Sequence, residues 1–530
     1  MLKKFLTLLF LLFTIFSCGS STSTGKILNY RLPEEGKSLD PQLLTDHSGC
    51  NIHQFLSEGL TKMDMKTKQA IPGLAEKYEV SSDGLTWTFH LRPNLKWSNG
   101  DNLTANDFKF AWLRALDPNT ASEYAFILFP IKNAEKFNDG ACSKDEVGIK
   151  VINDTTLEVK LENATPYFDS LTSFVTYMPA NEKFIKEKGE SYALEPENMI
   201  SSGPFVLKKW EHNSEMLLEK NPNYYAKDKI SLDSVKIKFI MDDVAALNAF
   251  KNDEIDFTNL NPEQYEEFKD DKRLSILPQA QMYFLLFNNK VNVFKNKKIR
   301  KAIDLAINKE DINKSVFNGL NTVIYNFTPH KVGLPGLKTN DFGAEVGDLI
   351  EKYNPNEAKQ LFSEGMKELG LTDFPKLSII VNDMDNNKKV AETIQENLRE
   401  NLGINFDIQI MTYKERLSRQ TNGDFDIALT RWGADYQDAM TFLDLFMTKN
   451  GNNYGKYSNP TYDKYIQLAK MEPDKAKRFE YLKKVEEIIA SDTPISVLYQ
   501  VNKYYVVNDR LSNYAFSSIN CDLFSETVIK

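Results

Sequence analysis

This sequence predicts an α/β protein built from more than one lobe, and three observations carry the prediction. Within 377–410, a strand-like apolar run at 377–381 is followed by an amphipathic stretch at 389–402 and a second strand-like run at 405–410. Strand–helix–strand is the repeating unit of an open α/β sheet. Alternating apolar and polar residues recur at 85–91 (L-T-W-T-F-H-L), 156–161 and 234–240 (S-V-K-I-K-F-I), the two-residue period of half-buried strands. The chain also has 530 residues, more than a single hydrophobic core usually organises.

The helices follow from a different period. Ile299, Ala302, Ile303, Ala306 and Ile307 recur at helical spacing over 298–307. Residues 354–369 open on Asn-Pro-Asn-Glu, a cap followed by an amphipathic helix, and 475–489 repeats the type. Ser82-Asp83-Gly84 and Ser98-Asn99-Gly100-Asp101 are turns, and Thr104 caps a helix that begins near Ala105. Trp87, Phe89, Trp97, Phe108 and Trp112 read as core aromatics.

The amino terminus carries targeting information. Lys3 and Lys4 precede an uninterrupted run of Phe, Leu, Thr and Ile over 5–16, and then come Ser17 and Cys18, the layout of a secretory signal. Roughly twelve residues span about 18 Å as a helix, against about 30 Å of hydrocarbon, so the run is too short to cross a membrane. Ile15-Phe16-Ser17-Cys18 resembles a bacterial lipobox, which implies cleavage after residue 17 and lipidation (palmitate included) of Cys18. Residues 19–25, G-S-S-T-S-T-G, read as a flexible tether.

Composition narrows the partners. The formal charge of −9 is spread out, without basic clusters, so nucleic acid is not an expected partner. At 42% hydrophobic and 12% aromatic residues, the body is an ordinary globular chain. Beyond Cys18, Cys50, Cys142 and Cys521 allow one disulfide and leave one thiol, with no CxxC spacing for a metal. Among five histidines none forms HExxH, and there is no GxSxG elbow or phosphate-binding glycine loop. Asp383-Met384-Asp385 starts like a calcium loop but lacks the required later glycine and acid. No enzyme activity, cofactor or metal is expected.

One segment identifies a family. Residues 72–108, P-G-L-A-E-K-Y-E-V-S-S-D-G-L-T-W-T-F-H-L-R-P-N-L-K-W-S-N-G-D-N-L-T-A-N-D-F, resemble the signature region of bacterial extracellular solute-binding proteins of the oligopeptide, dipeptide and nickel class. Further matches follow in order: Ser202-Gly203-Pro204-Phe205, Asn221-Pro222-Asn223-Tyr224-Tyr225, Phe287-Asn288-Asn289, Arg300-Lys301-Ala302-Ile303, Trp432-Gly433-Ala434-Asp435-Tyr436 and Tyr457-Ser458-Asn459-Pro460. The resemblance implies a type II periplasmic-binding-protein architecture: two lobes closing on a hinge, plus an inserted domain. The expected parts are a signal peptide at 1–17, a tether at 18–27, and a discontinuous lobe from 28–57, 190–282 and 503–530. An inserted domain at 58–189 and a second lobe at 283–502 complete the chain, with crossings near Tyr283 and 499–502.

The function so implied is an exported, lipid-anchored, monomeric receptor, at the cell surface or in the periplasm. It would capture short peptides and deliver them to the membrane subunits of an ABC-type importer. A receptor that tolerates many peptide sequences must bind their shared backbone, met by strand-like pairing, and their ammonium, which needs a fixed carboxylate when enclosed. Asp435 in W-G-A-D-Y resembles the position where the family's peptide-binding members place that carboxylate. Gly433 suits close approach of a ligand backbone, and Trp432 would wall a side-chain pocket. Asp46 and His47, after Ser38-Leu39-Asp40-Pro41, look like a second ligand-pairing segment. Tyr124 in T-A-S-E-Y, Asn259, Tyr413 and Tyr499 occupy similar positions.

Two departures concern the ligand's other end. Asn387 and Leu429 stand where oligopeptide-binding relatives carry a His and an Arg that receive ligand carboxylates. Carboxylate recognition would then pass to Lys388 or Arg431, or the far end would reach solvent. The alternatives are a receptor for a nickel chelate, haem or sugar on the same fold, or a surface lipoprotein used in sensing or adhesion.

Overall fold

The computed structural model describes residues 25–36, 38–334, 341–383, 386–519 and 521–530. The signal sequence, Cys18 and most of the tether lie outside them, as do Met384 and Asp385 of the calcium-like loop. The expected α/β class is the one observed.

Three sheets organise the chain. In the first, Ile27–Leu32 pairs in parallel with Ser234–Phe239, and Glu215–Lys220 and Phe205–Glu211 follow antiparallel. Its core includes Leu28, Tyr30, Phe55, Phe205 and Phe524. The second is an antiparallel sheet in the order Ala75–Val80, Thr86–Leu91, Thr156–Lys160, Ile149–Asn153. Along Thr86–Leu91 every second residue, Trp87, Phe89 and Leu91, is buried. Beside this sheet the helix Ala105–Leu116 starts on a capping box: Thr104 accepts from the Asn106 amide, and the Asp107 carboxylate accepts from the Thr104 amide at 2.7 Å. All five aromatics read as core are buried.

The third sheet is mixed and runs Phe257–Leu260, Ile495–Val507, Leu274–Phe287, Ile427–Gly433, Leu377–Asn382, Phe406–Met411. The last three strands are mutually parallel, with the helix Asn387–Leu402 as a crossover. Near this sheet the helix Pro355–Leu369 begins on an Asn354 cap, with proline at its first turn, and ends at Gly370 with φ 66°. Only glycine takes that left-handed backbone without strain.

Two strands of this sheet are long, Leu274–Phe287 and Ile495–Val507, and they pair with each other. Their register shifts between Pro278 and Met282. The expected lobe boundaries at 282/283 and 502/503 therefore fall inside paired strands rather than in loops. Early and late parts of the chain are also tied covalently: Cys50, in the helix His47–Leu56, is disulfide-bonded to Cys521. Asn51 and Gln54 accept from the amides of Asp522 and Phe524 beside it. Cys142 is the remaining thiol.

Candidate functional site

The Ile427–Gly433 strand delivers the W-G-A-D-Y segment. Its centre is buried and its last three residues come to the surface, so the chain emerges from the sheet where Trp432 and Asp435 line a cavity of about 560 Å³. Trp432 donates its indole N–H to the Thr441 carbonyl at 3.0 Å. The Asp435 amide donates to Thr441 Oγ1, also at 3.0 Å. Backbone and ring are thus fixed, while no hydrogen bond or ion pair reaches the Asp435 carboxylate among the described residues. Burial first, and the nearby Asp444 carboxylate second, push the Asp435 pKa up to about 6. Desolvation and like charge both disfavour the ionised form.

The rest of the cavity comes from distant sequence. Phe126, Phe129 and Leu171 supply apolar wall, and Asp444 and Lys470 line it as an ion pair 3.7 Å apart. Tyr124 lies against this site: burial, then the Asp435 charge, raises its phenol pKa, and its ring packs on Phe174 at 5.6 Å. Beside Asp435, Tyr436 stacks on Tyr167 with ring centres 4.6 Å apart and planes 5° apart. That contact joins the chain near Tyr167 to the W-G-A-D-Y segment. Gly433 has no structural need to be glycine: an added Cβ would only touch the Gln281 side chain, at 3.4 Å.

His47 and Asn259 line a second cavity, of about 330 Å³, with Arg31, Lys503 and Asp522. Asn259 is held there by hydrogen bonds from Arg31 and to Asp243. Burial and the Lys503 charge lower the His47 pKa, against the pull of Asp522 and Asp46.

Four expected contacts sit elsewhere. Asp46 is the cap of the helix His47–Leu56, accepting from the Gly49 amide at 2.7 Å, so its carboxylate is committed to a helix end. Tyr499 is 2% exposed and packs on Tyr283 and Phe317, so it belongs to the core, not to a cavity wall. Asn387 is 1% exposed and donates to Asn382. Tyr413 is exposed, with the Arg416 guanidinium over its ring at 5.2 Å. Sequence reasoning missed Phe126, Tyr167, Asp444, Lys470 and Lys503. Of these only Lys503 left a signal, a lysine inside the otherwise strand-like run 495–507.

An open α/β frame that presents an enclosed carboxylate beside aromatic walls defines a ligand-binding protein. The chain belongs to the bacterial extracellular solute-binding proteins, family 5, whose model matches residues 69–454. It is 34% identical to the oligopeptide-binding protein OppA of Bacillus subtilis over 503 residues, covering 93% of this chain and 91% of that one. The dipeptide-binding protein DppE of the same organism is also 34% identical, with coverages of 93% and 90%. Among solved structures, Listeria monocytogenes OppA bound to peptide matches with a TM-score of 0.75 at 34% identity, covering 96% of this chain and all of that one. The murein tripeptide binding protein MppA in its unliganded open form matches at 0.80 and 25% identity, with coverages of 95% and 97%. No helix among the described residues is long and apolar enough to cross a membrane.

Proposed function

We propose that this protein captures short peptides between its two lobes and delivers them to an ABC-type importer, with Asp435 pairing the peptide's α-ammonium. One observation carries the reading: the Asp435 carboxylate is enclosed, held in place through its backbone, and given no cation by the protein. A ligand ammonium supplies the missing partner, and Gly433 leaves room for the peptide backbone beside it. Relatives named for oligopeptide and dipeptide binding, one of them solved with peptide, support the same ligand class. The lobes are 28–57 with 190–282 and 503–530, and 283–502, with 58–189 inserted. The hinge lies where the two long strands change register. The protein works outside the cytoplasm as a monomer, held to the membrane through a lipid on Cys18.

Titration calorimetry with a peptide and its N-acetylated form tests the ammonium contact. Acetylation is expected to weaken binding by about 1.5–3 kcal/mol, the scale of a charge-assisted hydrogen bond; equal affinities sink the assignment. Native mass spectrometry of the purified protein should show a ladder of peptide masses, whereas a single non-peptide mass overturns the ligand class. Labelled palmitate should enter the wild type and not Cys18→Ser.

A further inference from the structure

We propose that Lys503 receives the anionic end of the bound peptide, its terminal carboxylate or an acidic side chain there, in the cavity it shares with His47 and Asn259; this rests on the peptide reading above.

The geometry singles out Lys503 in three ways. First, the acids that share its cavity are committed: Asp243 is paired with Arg31 at 3.2 Å. Asp522 accepts from the Tyr30 hydroxyl at 3.2 Å and the Ser517 amide at 2.9 Å. The Lys503 ammonium makes no hydrogen bond and meets no carboxylate within ion-pair distance among the described residues. Its side chain reaches solvent, yet desolvation by the surrounding protein lowers its pKa, Asp522 opposing the effect and the Arg431 charge adding to it. A cation so placed gains from any anion brought beside it.

Second, the other candidates are occupied. Lys388 pairs with Glu392 on the exposed side of its own helix, at 3.7 Å. The Arg431 guanidinium is set over the Tyr283 ring, 6.0 Å from its centre.

Third, the strands that lead to Asp435 and to Lys503 leave one shared row in the same direction. Trp432, Met282 and Gln500 form one row across three strands. The strands carrying Trp432 and Gln500 both run antiparallel to the middle one, hence in the same direction. Lys503 lies three residues past Gln500 on its strand, and Asp435 lies two residues past Gly433, where the other outer strand ends. Two strand spacings separate Trp432 from Gln500, on the order of 10 Å, the reach of about three extended residues.

The test uses tri-, tetra- and pentaalanine, each as the free acid and the C-terminal amide, titrated into the full protein and into Lys503→Met and Lys503→Arg. In the wild type, amidation should weaken binding about tenfold, most for the tri- and tetrapeptide. In Lys503→Met the free acid should bind about tenfold more weakly and amidation should make no further difference; Lys503→Arg should keep the difference. An amidated peptide ending in Glu instead of Gln separates a side-chain carboxylate from the terminal one. N-acetylated forms run in parallel keep the two readings apart. If acetylation still weakens binding but the amide effect is equal in wild type and Lys503→Met at every length, the Lys503 assignment is overturned and the peptide reading stands. If no peptide binds, both fall. Thermal melts confirm that the variants fold.

Discussion

Asp438 is fully buried and held by two hydrogen bonds from the Arg478 guanidinium, at 2.7 and 2.8 Å. Asp435, three residues earlier, has the Thr441 hydroxyl on its amide but no cation on its carboxylate. The same short segment therefore carries one acid whose charge is consumed by the fold and one whose charge is left over. The first fastens the segment to the helix Lys475–Asp492, and the Arg478 guanidinium also lies 5.7 Å from the Tyr167 ring centre. The second is enclosed at a cost to the empty protein that protonation relieves and that a ligand cation would relieve. A rigid anchor of this kind keeps the free carboxylate in place, as the proposed pairing with a ligand ammonium requires.

Removing the anchor is expected to have the largest effect. Arg478→Met leaves Asp438 buried without its partner and should lower unfolding free energy by about 3–5 kcal/mol, measured by denaturant titration. The double variant with Asp438→Asn should recover part of that loss. If Arg478→Met costs nothing, the contrast between the two acids is wrong.

Removing the free acid should act the other way on stability. Asp435→Asn is expected to weaken peptide binding by about 1.5–3 kcal/mol while leaving the empty protein as stable or up to about 1 kcal/mol more so. The sign follows from the raised pKa of about 6. Folding favours the protonated carboxyl, so Asp435 is least costly below its unfolded value near 4, and that benefit is lost as pH rises through 6. A loss of stability in Asp435→Asn would mean that the carboxylate has a structural partner after all.

The pH dependence of binding sharpens the comparison at a smaller scale. Affinity for a peptide with a free ammonium should be greatest near pH 7, between the carboxyl's value of about 6 and the ammonium's own near 8. It should fall by up to about tenfold per unit below pH 6, as the carboxyl protonates and can no longer pair. The N-acetylated peptide should show a flat profile in the same calorimetry. Smallest of all, Tyr167→Leu removes the stack on Tyr436 and should cost about 0.5–1.5 kcal/mol of stability, with a matching fall in melting temperature.

Local features were legible because their causes are local. Thr104 and Asp107 sit in one turn, so the capping box can be read directly, and so can Asn354-Pro355. The alternation of Trp87, Phe89 and Leu91 likewise gives the strand and its buried face. The site was legible only in part. The position of Asp435 came through its motif, and its proximity to Tyr124 is seen in their shared field. Asp46 caps a helix and Tyr499 packs in the core, and cap and core duties use the same residue types as ligand contacts. Which duty a residue performs depends on what packs against it.

The sequence by itself determined the α/β class, the strand and helix periods, the principal caps and the family, all of which rest on residues close together in the chain. Tertiary structure alone decided that Cys50 pairs with Cys521 and that Asp438 meets Arg478 forty residues on. It also decided that His47 and Lys503 share a cavity from opposite ends of the chain. The physical reason is the same in each case. A charge or thiol is free or committed according to its neighbours in space, and chain folding chooses those neighbours.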